Sequence, residues 1–156
     1  MSMPMQKPGR SEQVVGTPWE LVRAAANRWG EFTLDLAAND DGSNAKAPSW
    51  CSPSTSYFAS KLGNREGLCW CNPPFANIRP WARKWRIDAE RGARIVALVP
   101  LSTCGWFADE VEGHANVVGL VERVTFEGHK SPYPKDMMLL LYGIPEDREF
   151  QTWRWK

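Results

Sequence analysis

Leu68-Cys69-Trp70-Cys71-Asn72-Pro73-Pro74-Phe75, a charged run from Arg79 to Glu90, and then Ala93-Arg94-Ile95-Val96-Ala97-Leu98-Val99-Pro100 form the stretch from which the fold can be read. Residues 68–71 are a short apolar run of the kind a buried strand shows, and the two prolines end it, since neither can donate to a strand ladder. Over 78–90, Ile78, Trp81, Ala82, Trp85 and Ala89 share one helical face while Arg79, Arg83 and Arg86 occupy another, which predicts an amphipathic helix. Residues 93–99 are a nearly continuous β-branched and apolar run stopped by Pro100, the pattern of a strand covered on both faces.

Working outward, Thr17-Pro18-Trp19-Glu20 offers an N-cap threonine, a proline at the first helical position and a glutamate at the third. Val22, Ala25 and Trp29 follow at helical spacing and Gly30 is a natural stop, so a helix is expected over 18–29. Phe32-Thr33-Leu34-Asp35-Leu36 reads as a short strand running into the small, polar turn Ala37-Ala38-Asn39-Asp40-Asp41-Gly42. Residues 43–67, rich in Ser, Pro, Asn and Gly, are expected to be mostly loop, anchored by Tyr57-Phe58. Beyond Pro100, Ser102 is expected to cap a helix to about 111, and 117–126 and 137–142 read as strands of an antiparallel hairpin whose projecting loop is 127–136. Helices alternating with strands predict an α/β chain: a mostly parallel sheet covered by helices, with an antiparallel C-terminal hairpin at its edge.

The chain has 156 residues, 43% of them hydrophobic, and a formal net charge of +1, which describes one globular domain over 17–156 behind a flexible, polar leader over 1–16. No apolar run approaches the roughly 20 residues of a membrane span, and the first residues lack a signal-peptide core, so a cytoplasmic protein is expected. Four cysteines, Cys51, Cys69, Cys71 and Cys104, are too few and irregular for a disulfide framework, and their spacing to His114 and His129 matches no metal site. The small net charge conceals an asymmetry. Residues 79–94 carry six basic side chains against two acidic, a net of +4, whereas 102–127 carry one basic against five acidic, a net of −4. The basic segment could meet a polyanion or be a solvated helix face.

In open α/β sheets, ligands bind beyond the carboxyl ends of strands, which directs attention to 35–39 and 72–75. Asn72-Pro73-Pro74-Phe75 has a specific chemical capacity. The asparagine side-chain carbonyl and a proline carbonyl can accept both hydrogens of one –NH2 group. Two such acceptors increase the nucleophilicity of an aromatic exocyclic amine and aim its nitrogen at an electrophile, while Phe75 can stack on the ring. No strong general base is required, because the proton becomes acidic as the nitrogen attacks. The same four residues also suit a simple turn after a strand.

Several segments in order, Gly16-Thr17-Pro18-Trp19-Glu20-Leu21-Val22, Phe32-Thr33-Leu34-Asp35-Leu36-Ala37-Ala38, Asn44-Ala45-Lys46, Tyr57-Phe58, Gly67-Leu68 with Trp70 to Phe75, Trp81 and Ala97-Leu98-Val99-Pro100, resemble the phage-type, Dam-like DNA N6-adenine methyltransferases. The resemblance covers roughly 17–142. It implies a compact, abbreviated, Rossmann-like methyltransferase fold that uses S-adenosylmethionine. Asn72, Pro73, Pro74 and Phe75 would be the catalytic loop, and Thr17, Pro18, Asp35, Ala37, Ala38 and Asn39 the cofactor site. A duplex adenine must be flipped out to be reached, so basic residues should rim the loop. Arg79, Arg83 and Lys84 on the helix and Lys130 and Lys135 in the projecting loop are the candidates for double-stranded DNA contact. With no room for a separate recognition domain, specificity would fall to the loops 43–67 and 127–136.

The chain departs from the family at three places: Leu36 stands where a proline usually follows the aspartate, Phe75 where a tyrosine is common, and Glu122 where glycine is usual. The resemblance further implies a bacterial host cell, phage or prophage coding and a restriction-modification setting, and the small size suits a monomer or weak homodimer. Two alternatives accompany this reading. The same loop could orient another amine, an RNA adenine, cytosine N4 or a glutamine amide. A catalytically silent domain could instead stack single-stranded bases on exposed tryptophans.

Overall fold

The computed structural model describes residues 16–156, so the leader expected over 1–16 lies outside it except for Gly16, which is buried. The described chain folds into α1 (Trp19–Trp29), β1 (Phe32–Asp35), β2 (Ser49–Trp50), β3 (Leu68–Cys71), α2 (Arg79–Glu90), β4 (Arg94–Pro100), α3 (Gly105–Glu110), β5 (Ala115–Leu120), β6 (Met137–Tyr142) and β7 (Phe150–Trp153). All seven strands form one sheet in the order β2-β1-β3-β4-β6-β5-β7. β2, β1, β3 and β4 pair in parallel, β6 runs antiparallel to both β4 and β5, and β5 pairs in parallel with β7.

The sheet separates two cores with the period of two that strand geometry imposes. Along β4, Ile95, Ala97 and Val99 pack with α2, while Val96 and Leu98 pack with α1. β3 divides likewise, Cys69 and Cys71 toward α2, Leu68 and Trp70 toward α1. α1 therefore covers one face; α2 and the residues of α3 cover the other. Trp70 and Trp85 are fully buried. Burial of the Cys69 thiol pushes it up to about 12, and Cys71 moves in the same direction for the same reason.

Several details differ from the sequence reading. The expected capping box is absent: the Pro18 carbonyl accepts from Leu21 N and Val22 N at 3.1 and 3.3 Å, so Pro18 is the N-cap, and the Thr17 hydroxyl is buried with no hydrogen-bond partner among the described residues. Gly30 does end the helix, in a left-handed conformation (φ 119°) that favours glycine. α3 starts at Gly105, not at 103, with Cys104 at its N-cap. The hairpin of β5 and β6 is antiparallel as expected, but it is not the edge. β6 is inserted between β4 and β5, and β7, which the sequence reading did not include, forms that edge. β5 also stops at Leu120, after which the chain turns toward the sheet's carboxyl end. The two-residue β2 emerges from the segment expected to be loop.

Candidate active site

The carboxyl ends of β1, β2, β3 and β4 open into one cleft of about 1310 Å³. Its lining comes from residues 36–39 after β1, Ser52 and Pro53 after β2, residues 72–76 after β3, and residues 100–102 after β4. Phe126 and residues 129–135, from the long connection between β5 and β6, add a further wall, and Tyr57, Phe58 and Trp81 another. β3 lies between β1 and β4 in the sheet, so the 72–75 loop stands between the two ends of this lining.

The loop leaves the sheet because its sequence cannot continue it. On the β1 side Leu36 N donates to Trp70 O at 2.8 Å, pairing with β4 ends at Cys71, and the prolines then supply no donors. Pro73 is buried; Asn72, Pro74 and Phe75 are half-buried, and all four line the cleft. Phe75 is braced by two rings. Its centroid lies 6.2 Å from Phe126 and 5.7 Å from Tyr133, and those two meet edge-to-face at 5.6 Å. Tyr133 was not singled out from sequence. Its signal was an aromatic ring between two prolines in a loop otherwise made of small and charged residues.

The turn after β1 is organised by Asp35, which is 2% exposed. Its Oδ1 accepts from Ala37 N at 3.0 Å and its Oδ2 from Lys46 N at 2.9 Å. Burial pushes its carboxyl above the usual range, against the lowering effect of those two N–H groups and the Lys46 charge. Asn39 N donates to Asn44 Oδ1 at 2.7 Å, and Ala38 N donates to Cys51 O at 2.9 Å. Ala37, Ala38 and Asn39 thus line the cleft, whereas Thr17, Pro18 and Asp35 stand outside its lining.

The family described as DNA N-6-adenine-methyltransferase (Dam) matches this chain over residues 6–138. The chain belongs to the Dam family. No curated protein and no solved structure matches it. The seven-stranded α/β sheet with its three helices is compatible with a methyltransferase-like fold. Among the described residues, no helix is long and apolar enough to cross a membrane.

In this Dam-family chain the wall of the cleft nearest α2 is aromatic. Tyr57, Phe58 and Trp81 line it, Phe58 standing edge-on to Trp81 at 4.7 Å. Tyr57 is held from behind: its hydroxyl donates to Asp88 Oδ2 at 2.7 Å, and Lys84 Nζ lies 2.6 Å from the same oxygen and 4.5 Å from the Tyr57 ring centre. Burial, then the Asp88 contact, pushes the Tyr57 phenol far up, so it stays a donor.

The charge asymmetry of the sequence is largely cancelled in space. Arg79 pairs with Asp109 at 2.7 Å, Arg83 and Arg86 pair with Glu110 at 3.3 and 2.7 Å, and Lys84 is committed to Asp88. The basic face of α2 is thus answered by the acidic end of α3. Arg79, Arg83 and Lys84 are not in the cleft lining, whereas Lys130 and Lys135 are, both exposed on its rim. Glu122, at the departure from the family pattern, faces the C-terminal segment: its carboxylate lies 3.7 Å from Arg154, and its backbone carbonyl accepts from Trp155 Nε1 at 3.1 Å.

Proposed function

We propose that this chain transfers a methyl group from S-adenosylmethionine to N6 of an adenine flipped out of DNA. The observation that carries this reading is one cleft holding the Asn72-Pro73-Pro74-Phe75 loop between the 37–39 turn and the loop that carries Tyr133, Lys130 and Lys135. Its volume of about 1310 Å³ exceeds the roughly 300–1,000 Å³ of a typical single-ligand pocket, so it has room for a cofactor and a base together. The residues present suit the cofactor: alanines and aromatic rings offer flat apolar surface to an adenosine, and Asn39 and Ser52 offer polar contacts at its margin.

In this reading the chain's own residues perform the positioning. Asn72 Oδ1 and the Pro73 carbonyl oxygen accept the two amine hydrogens of adenine. That arrangement directs the nitrogen lone pair out of the ring plane and stabilises the positive charge that develops on nitrogen during attack. Phe75 carries the base on its face, and its own position is fixed by Phe126 and Tyr133. Pro73 and Pro74 keep the loop stiff and carry no N–H of their own to compete for the acceptors. The excess proton leaves along one of the two hydrogen bonds. Bound S-adenosylmethionine supplies the electrophilic methyl group on its sulfonium.

The test is incubation with tritium-labelled S-adenosylmethionine and unmethylated duplex DNA, followed by nucleoside analysis. Label in N6-methyldeoxyadenosine is the expected result; label in N4-methyldeoxycytidine, or in RNA or glutamine under parallel incubations, would replace the substrate and keep the transferase.

Two predictions separate binding roles. Lys130→Ala and Lys135→Ala should each reduce the slope of log affinity against log salt for duplex DNA by about one, the signature of a lost phosphate contact. Arg79→Ala and Arg83→Ala, whose guanidinium groups are paired with α3, should leave that slope unchanged. Thr17 gives a second test. Its hydroxyl has no partner among the described residues, and an unsatisfied buried hydroxyl costs about 1–3 kcal/mol. Thr17→Val should therefore keep or raise the melting temperature. Thr17 stands outside the cleft lining, so calorimetry on the same variant tests its expected cofactor role: S-adenosylmethionine affinity lower by about tenfold supports it, and unchanged affinity removes it.

A further inference from the structure

Two walls of the cleft come from distant parts of the chain: the turn 37–39 and the loop 127–136. A buried ammonium joins them. Lys46 is 5% exposed. Its backbone N–H and that of Ala37 hang on opposite oxygens of the Asp35 carboxylate, so Lys46 and the cleft-lining turn move as a unit. Its Nζ crosses to Glu127 Oε1 at 2.8 Å, with the Trp19 ring 4.5 Å away. Glu127 lies in the β5–β6 connection, three residues before Lys130 and on the segment that bears Tyr133 and Lys135. Its N–H donates to Gly16 O at 2.9 Å, and any Cβ on Gly16 would overlap its carboxylate.

We propose that the Lys46–Glu127 pair is a positioning clasp that fixes the distance between the turn facing the methyl donor and the loop facing DNA. The proposal rests on the preceding reading of the cleft. Its physical basis is the asymmetry of the pair: the Lys46 side chain is 3% exposed and the Glu127 side chain 42%. An ammonium that is out of water cannot be left without its carboxylate except at high cost, so the base of the loop cannot drift while the Asp35 turn is in place. This also accounts for the segments around Gly16, Asp35 and Lys46, which meet here although Gly16, Asp35 and Lys46 do not line the cleft. They hold its walls rather than touch what fills it.

The test uses the full chain and two binding constants, S-adenosylmethionine by calorimetry and duplex DNA by fluorescence anisotropy. Lys46→Met and Glu127→Gln should each weaken both ligands by about tenfold, within the usual range of a coupling between sites. Turnover at saturation should stay within about threefold, because no reacting atom is touched. The double variant, which leaves no unpaired charge, should recover much of both affinities. Singles that melt earlier but bind both ligands as the wild type does, or that weaken only one ligand, overturn the clasp. Should Lys46→Met not fold, Glu127→Asp shortens the reach by one methylene and keeps the charge; it must weaken both ligands, and unchanged affinities again overturn the proposal. Wild-type protein that binds both ligands but methylates no adenine overturns the reaction proposed above and leaves the clasp to these two constants. Wild-type protein that binds neither overturns both.

Discussion

Asn72→Ala should reduce methyl transfer to DNA by about 10³-fold, while S-adenosylmethionine affinity and melting temperature stay near those of the unmodified protein. The size follows from what is removed. Asn72 is half-buried at the end of β3 and lines the cleft, so in the proposed reaction alanine deletes an acceptor for the amine without opening the core. A preorganised acceptor of developing charge acts on the transition state more than on the bound ground state, so the loss belongs in kcat and not in cofactor binding. Single-turnover label incorporation is the measurement. Full activity in this variant would remove Asn72 from the reaction and, with it, the mechanism. Asn72→Asp makes a stricter companion: it keeps an acceptor but changes the charge beside the nitrogen, and partial activity there would place the function in the acceptor itself.

Asp88→Ala should be strongly destabilising, although Asp88 lies outside the cleft lining. Asp88 is fully buried, receives the Tyr57 hydroxyl at 2.7 Å and pairs with Lys84 at 2.6 Å and Arg91 at 3.6 Å. Alanine leaves a mostly buried ammonium and a buried phenol without their carboxylate, a loss of about 3–5 kcal/mol. For a domain of this size that corresponds to a fall in melting temperature of about 10 °C, measurable by calorimetry. The same change loosens the ring of Tyr57 and, through it, the aromatic wall of the cleft. Cofactor affinity measured well below the melting point should therefore drop as well, and a variant of wild-type stability would show that the buried network contributes little.

What could be read from sequence was local. The Asn72-Pro73-Pro74-Phe75 turn was legible because prolines forbid strand continuation wherever they fall, and β4 because an unbroken apolar run demands cover on both faces. α2 was legible from its period. Its partners were not: Arg79, Arg83 and Arg86 look like a free basic face until α3 places Asp109 and Glu110 against them. Net charge along the chain carries no information about which segments touch. Thr17 looked like a cap because the Thr-Pro-x-Glu pattern is a helix-start pattern, but the Pro18 carbonyl took that position one residue later. β2, two residues long, has too little sequence for any period to show. β7 alternates in exposure along its four residues, yet so short a signal competes poorly with its charged flanks. The insertion of β6 between β4 and β5 follows from pairing energies across the whole sheet, which no window of sequence contains.

That insertion has a consequence for how the protein is made. β4 is flanked by β3, which precedes it, and by β6, whose residues 137–142 are synthesised some forty positions later. Until Tyr142 has cleared the ribosome, Ile95, Ala97 and Val99 have one open side, and the segment that ends in Pro100 and Leu101 lacks its tie to Asp136. The cleft end of β4 is therefore among the last parts to close, and a nascent chain halted within the 127–136 loop would expose an apolar strand edge to its neighbours.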